Sequence, residues 1–207
     1  MIKLYGPPRT RTHRVLWMLE ELGLEYENIT ETHTDDKPIP ELEALNPNGK
    51  VPTLVDGDTV VWESLAVNLY LADRHDGGLK PRSESERIQA LQWSFWAATQ
   101  VEETLFIALR NRVTFAEDER DPAAADAAEG ELARPLTALD QVLAERPFLL
   151  GEKFSVGDLN VASILALSGP AAVSLDAYPN VRRWLGECIS RPAAREVLAR
   201  ATRDAGL

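Results

Sequence analysis

Asn46-Pro47-Asn48-Gly49-Lys50-Val51-Pro52-Thr53-Leu54-Val55-Asp56-Gly57-Asp58-Thr59-Val60-Val61-Trp62-Glu63-Ser64 is the stretch from which the fold is read. Asn46-Pro47 and Asn48-Gly49 are turn dipeptides. Residues 53–55 form a short apolar run, Asp56-Gly57-Asp58 is a tight hairpin signal, and 59–62 is a second run of β-branched and aromatic residues. Glu63-Ser64 then opens a helical pattern through Leu65, Leu69 and Ala72. A small antiparallel hairpin therefore feeds directly into a helix N-terminus. Pro52 precedes the first strand, where the backbone lies exposed at an edge. Such a place suits an extended small peptide, paired on its backbone and held by its carboxylate at the helix N-terminus.

Upstream, residues 2–5 read as a short apolar strand ended by Gly6-Pro7-Pro8. Thr10 or Thr12 caps a helix whose Val15, Leu16, Met18, Leu19 and Leu22 keep a period of 3.6, and Gly23 stops it. Residues 26–30 form a second strand, so 2–30 make a β-α-β unit long enough for a right-handed parallel crossover. Residues 31–39, polar and carrying Pro38, read as a loop, and 40–45 as a short irregular helix. The order over 1–75 is β-α-β-(α)-β-β-α.

Downstream, composition shifts near Asp76-Gly77-Gly78, which marks a linker over 77–83. Everything beyond it reads as helix, giving domains at 1–76 and 84–207. Ser83 or Ser85 caps a long segment with Ile88, Leu91, Phe95, Ala98, Leu105 and Leu109 at helical spacing. Asp121-Pro122 is a cap followed by proline at the first helical position, and Pro135 within that helix predicts a kink rather than a break. Ser155-Val156-Gly157-Asp158 has the form of a capping box. Tyr178-Pro179 and Arg191-Pro192 start two further helices.

Of 207 residues, 44% are hydrophobic and 27% charged, an ordinary balance for a globular chain able to bury a core. The formal charge of −11 argues against nucleic acid or an anionic membrane as the main partner. One cysteine, Cys188, excludes an intrachain disulfide framework and reads as a small core residue. His13, His33 and His75 are scattered without metal-like spacing and read as surface or helix-face residues. Trp93, Trp96 and Trp184 read as packing residues. No apolar run reaches bilayer length, and Met1 passes straight into a strand pattern, so a cytoplasmic location is expected.

Four motifs, spread in order along the chain, resemble those of cytosolic glutathione transferases of the bacterial type. They are R-V-L-W-M-L-E-E-L-G-L-E-Y-E at 14–27, N-P-N-G-K-V-P-T-L at 46–54, W-E-S at 62–64 and S-V-G-D at 155–158. Each is weak alone, and their combination is specific. The resemblance implies a thioredoxin-like α/β N-terminal domain followed by an all-α C-terminal domain, usually in a symmetric dimer. It implies glutathione as cosubstrate, no metal, and a small apolar electrophile attacked by substitution or addition. A non-catalytic binding or assembly module, and a glutathione-dependent peroxide or disulfide reductase, are the alternatives. No cysteine lies in the first domain, which speaks against chemistry that needs a protein thiol there.

The resemblance also distributes roles. Val51, before a cis Pro52, pairs with the cysteinyl backbone of glutathione; Glu63 and Ser64 receive its γ-glutamyl end; Lys50 touches the glycyl end. A free thiol ionises near pH 8.5, so a hydroxyl donating to the sulfur favours the thiolate. Relatives carry serine in an S-R-T-type stretch where this chain has Thr10-Arg11-Thr12. Thr10 aligns best, Thr12 and Tyr5 are the other candidates, and Arg11 would add a positive field. Pro8, Phe106 and Arg110 are the candidates for the electrophile site.

Overall fold

The computed structural model describes residues 1–31, 40–75 and 77–206. Their elements run β1 (Ile2–Tyr5), α1 (His13–Leu22), β2 (Tyr26–Ile29), α2 (Pro40–Leu45), β3 (Thr53–Asp56), β4 (Thr59–Trp62) and α3 (Ser64–Arg74). Helices α4 (Glu84–Trp96), α5 (Glu102–Leu109), α6 (Pro122–Ala144), α7 (Val156–Leu165), α8 (Pro179–Ile189) and α9 (Pro192–Asp204) follow. The loop expected over 31–39 lies, apart from Glu31, outside the described residues, as does His33.

The chain divides into two compact units, Met1–Lys80 with Arg191–Leu207, and Pro81–Ser190. In the first, the sheet order is β2-β1-β3-β4, with β1 parallel to β2 and antiparallel to β3. Leu4 pairs with Leu54 and Tyr5 with Thr53, so β1 is covered on both edges. Gly57 takes φ 60° at the first of two turn positions, which a Cβ would disfavour, and closes the β3–β4 hairpin with Asp56 opposite Thr59. Val15 through Leu19 of α1 are at most 1% exposed, and α1 packs against both α3 and α9. Gly23 ends α1 in the left-handed region (φ 63°), as its position in the sequence implied.

The helical domain expected over 84–207 ends earlier, because α9 joins the first unit. Arg191 makes a two-pronged ion pair with Glu21 of α1 (2.7 and 2.6 Å), and Arg200 pairs with Glu20 at 3.1 Å. Both acidic partners stand on the side of α1 turned toward α9. Sequence periodicity within α9 carries no information about that match.

In the second unit α7 is buried along its whole length, which makes it the core helix around which α4 and α8 pack. The capping box forms as read: Ser155 N–H and Oγ–H both donate to Asp158 Oδ2, at 3.0 and 2.7 Å. Ser83 and Asp121 cap α4 and α6 by accepting from Glu86 N–H and Ala124 N–H. Pro135 leaves α6 a single helix of 23 residues. The carbonyl its ring cannot serve belongs to Glu131, which is exposed. The long segment after Ser83 is interrupted by wide turns at Ala97–Val101 and Arg110–Thr114, and Ile88 and Phe95 of α4 stand exposed at 51% and 68%.

Candidate active site

β1 ends at Gly6, whose φ of 126° only glycine adopts readily. Its N–H donates to Ile29 O at 2.8 Å and its carbonyl accepts from Asn28 Nδ2 at 2.9 Å, so its backbone is fixed from the β2 side. The next turn, Pro8–Thr12, is wide, with Thr10 out of helical geometry (φ −97°, ψ −177°). Of the two threonines expected to cap α1, Thr12 makes no capping bond through its side chain, whereas Thr10 accepts Thr12 N–H on its Oγ1 at 3.3 Å.

That departure at Thr10 gathers the two candidate hydroxyls. Thr10 Oγ1 lies 2.8 Å from Pro7 O and 2.9 Å from Thr12 Oγ1. A hydroxyl carries one proton, so when Thr10 donates to Pro7 O it accepts from Thr12. Thr12 is fully buried while Thr10 is half-buried, so Thr10 is the hydroxyl within reach of solvent. Arg11 beside them is exposed. His13, expected on the surface or a helix face, is 9% exposed and its Nδ1 lies 2.7 Å from Thr10 O. A carbonyl can only accept, so Nδ1 carries the proton there. Tyr5 is directed elsewhere: its hydroxyl donates to Glu41 of α2, and burial together with that carboxylate pushes it up to about 12.

Across from this turn, the Val51–Pro52 peptide is cis. Its loop is organised by Asn46, 2% exposed, whose Nδ2 donates to Lys50 O (2.9 Å) and Thr53 Oγ1 (3.1 Å). Its Oδ1 accepts from Asn48 N–H at 3.0 Å. Lys50 is exposed. A Cβ built on Gly6 would stand 2.1 Å from Thr12 Oγ1 and 2.8 Å from Val51 Cβ, so Gly6 is where the hydroxyl turn and the cis loop converge.

Glu63 and Ser64 sit at the start of α3. Glu63 is exposed and holds φ 72°, a conformation costing about 1–3 kcal/mol in a residue other than glycine. Its carbonyl accepts the first helical bond, from Val67 N–H at 2.9 Å. Ser64 is 4% exposed, and Arg14 Nη1 donates to its Oγ at 3.4 Å. Arg14 is itself 1% exposed and joined to α3 by Asn68 Nδ2 donating to Arg14 O at 3.3 Å. The N-terminus of α3, with its unserved N–H groups and the positive end of its dipole, is suited to a carboxylate.

Thr10, Thr12, Val51, Pro52, Glu63 and Ser64 are thus all in the first unit, with Pro8 on the same turn as Thr10. Phe106 and Arg110 belong to the second unit, where Arg110 stacks over the Phe106 ring at 5.4 Å and pairs with Glu103 at 3.0 Å. Sequence reading overlooked Gly6, Asn28, Arg14 and Asn46. For Arg14 a signal existed, since a charged residue directly precedes the apolar run of residues 15–19 in α1.

Among the described residues no group of three or more His, Cys, Asp or Glu is placed to hold a metal, and no helix is long and apolar enough to cross a membrane. Residues 1–73 match the family model for the glutathione S-transferase N-terminal domain, and 98–192 that for the C-terminal domain. The chain is 34% identical to glutathione S-transferase GstB of Escherichia coli over 96% of this chain and 98% of the other. It is 29% identical to the disulfide-bond oxidoreductase YfcG of the same organism, over 97% and 96%. A theta class glutathione S-transferase from Xanthomonas axonopodis pv. citri, solved with glutathione bound, superposes with TM-score 0.85 at 30% identity, covering 94% of this chain and 95% of that one.

Proposed function

Because the chain belongs to the glutathione S-transferase family, we propose that it binds glutathione and joins the sulfur to a small apolar electrophile. The observation that carries this reading is the approach of the Thr10 turn to the cis Val51–Pro52 loop over Gly6, in the same unit as the Ser64 helix start. Glutathione lies extended, its cysteinyl backbone paired with Val51, its γ-glutamyl carboxylate at Ser64 and its ammonium at Glu63. Lys50 receives the glycyl end. Arg14 and the positive end of α3 strengthen the hold on the carboxylate.

Thr10 turns its proton from Pro7 O to the sulfur, while Thr12 keeps its donation to Thr10. That donation and the field of Arg11 lower the thiol pKa, and the thiol proton leaves to solvent. The thiolate attacks an electrophilic carbon. In substitution the C–S bond forms as the leaving group departs with its electron pair; in addition, the neighbouring carbon takes a proton. Pro8, Phe106 and Arg110 are assigned to the electrophile. A second reading, disulfide reduction through the same thiolate, is favoured by the likeness to YfcG and fits the absence of a cysteine from residues 1–80. Detoxification in the cytoplasm is the corresponding role.

Ser64→Ala is expected to weaken glutathione binding about 30-fold, the worth of one charge-assisted hydrogen bond. Thr10→Ala should instead slow turnover about 30-fold with binding nearly kept. Calorimetric titration of glutathione together with steady-state kinetics on a chloronitrobenzene and on a mixed glutathione disulfide checks both and ranks the two reactions. Unchanged turnover in Thr10→Ala would remove Thr10 from its role.

A homodimer is part of the same proposal. Val60 and Trp62 of β4 and Ile88 and Phe95 of α4 expose apolar surface of the kind a second copy covers. Light scattering should give twice the mass of one chain.

A further inference from the structure

The Pro8–Thr12 turn has a backbone donor that its own helix cannot serve. Arg9 N–H stands in the first turn, where no preceding helical carbonyl exists to accept it. Its acceptor comes from the far end of the chain: Asp204 Oδ2, at the last position of α9, takes it at 3.0 Å. Arg9 Nη1 reaches both carboxylate oxygens of Asp204 at 3.3 and 3.4 Å. Asp204 is not loosely placed, because α9 is fastened to α1 by Arg191 on Glu21 at one end. Arg200 on Glu20 and on the Tyr26 hydroxyl (3.0 Å) fastens it two turns later. The cation of Arg9 also faces the negative end of the α9 dipole.

We propose that Asp204 is a positioning residue of the transferase reaction, acting through the Arg9 peptide to aim the Thr10 hydroxyl. The inference rests on the function proposed above. The Arg9 N–H that Asp204 holds lies one residue before Thr10, whose own φ −97° and ψ −177° break the helical geometry, so fixing Arg9 fixes the chain entering that break. Exposed ion pairs contribute little to stability, so the contact's effect lies in orientation rather than in holding the fold. A charge-assisted bond to the backbone donor is the directional part of it. Displacing a reacting group by a fraction of an ångström is enough to cost a large rate factor.

The test compares wild type, Asp204→Ala and Asp204→Asn, the last of which keeps an acceptor for Arg9 N–H. Turnover and KM for glutathione are measured with a chloronitrobenzene, and thiolate absorbance of bound glutathione is followed against pH. Asp204→Ala should lower kcat about 10-fold, leave KM within about two-fold and raise the thiolate midpoint by about half a pH unit. Asp204→Asn should recover most of both. A wild-type midpoint below that of free glutathione that stays unchanged in Asp204→Ala overturns the inference alone. So does a loss in Asp204→Asn as large as in Asp204→Ala. A wild type that binds no glutathione removes the functional reading, and the inference with it.

Discussion

Gly6→Ala is expected to lower the melting temperature by about 10 °C and to abolish measurable glutathione binding. The added methyl would stand 2.1 Å from Thr12 Oγ1 and 2.8 Å from Val51 Cβ, distances no carbon tolerates. Neither neighbour yields easily. Thr12 is fully buried just before α1, and Val51 belongs to a loop tied by Asn46. Gly6 cannot rotate away either, because both its N–H and its carbonyl are bonded and its φ is 126°. Overpacking and a forced left-handed residue together cost about 3 kcal/mol, which for a chain of this length gives the stated shift. Because the clash falls between the hydroxyl turn and the cis loop, binding should fail even where the fold survives. Differential scanning calorimetry with and without glutathione reads both effects; a variant that melts like wild type would refute the convergence at Gly6.

Asp158→Ala should destabilise the second unit by about 4 kcal/mol, seen as a fall in melting temperature on the order of 10 °C. Asp158 is fully buried and its oxygens accept four donors: Leu149 N–H (2.7 Å), Trp184 Nε1–H (2.9 Å), and the N–H and Oγ–H of Ser155. Burial pushes its carboxyl pKa up while those four bonds pull the other way and satisfy the charged form. Alanine would leave Leu149 N–H, Ser155 N–H and the Trp184 indole N–H without their acceptor in the interior, each costing about 1–3 kcal/mol before relaxation. It would also untie three segments at once: the turn at Leu149, the start of α7, and α8 through Trp184. Urea unfolding followed by tryptophan fluorescence checks it. A shift within about 1 kcal/mol would mean that water or repacking replaces the carboxylate.

Much of this was written locally. The hairpin signal at Asp56-Gly57-Asp58 produced β3–β4, the 3.6 period of α1 produced its buried face, and Ser155 with Asp158 produced the capping box. These succeed because each depends on neighbours a few residues away, where turn chemistry and periodicity act directly. The motif at 62–64 likewise marked a helix start suited to a carboxylate, and Glu63 and Ser64 stand there.

What the tertiary structure alone decided concerns partners distant in sequence. Which hydroxyl is reachable depended on Thr12 being buried and Tyr5 being held by Glu41. Arg14 acquired meaning only when α1 packed on α3 and set its guanidinium against Ser64, 50 residues away. The place of α9 was settled by Arg191 and Arg200 finding Glu21 and Glu20 across more than 150 residues, and by Asp204 reaching Arg9. The physical reason is common to all of them. Local patterns specify elements through short-range sterics and hydrogen bonding, whereas a charged or polar side chain takes its role from whatever the folded chain brings beside it.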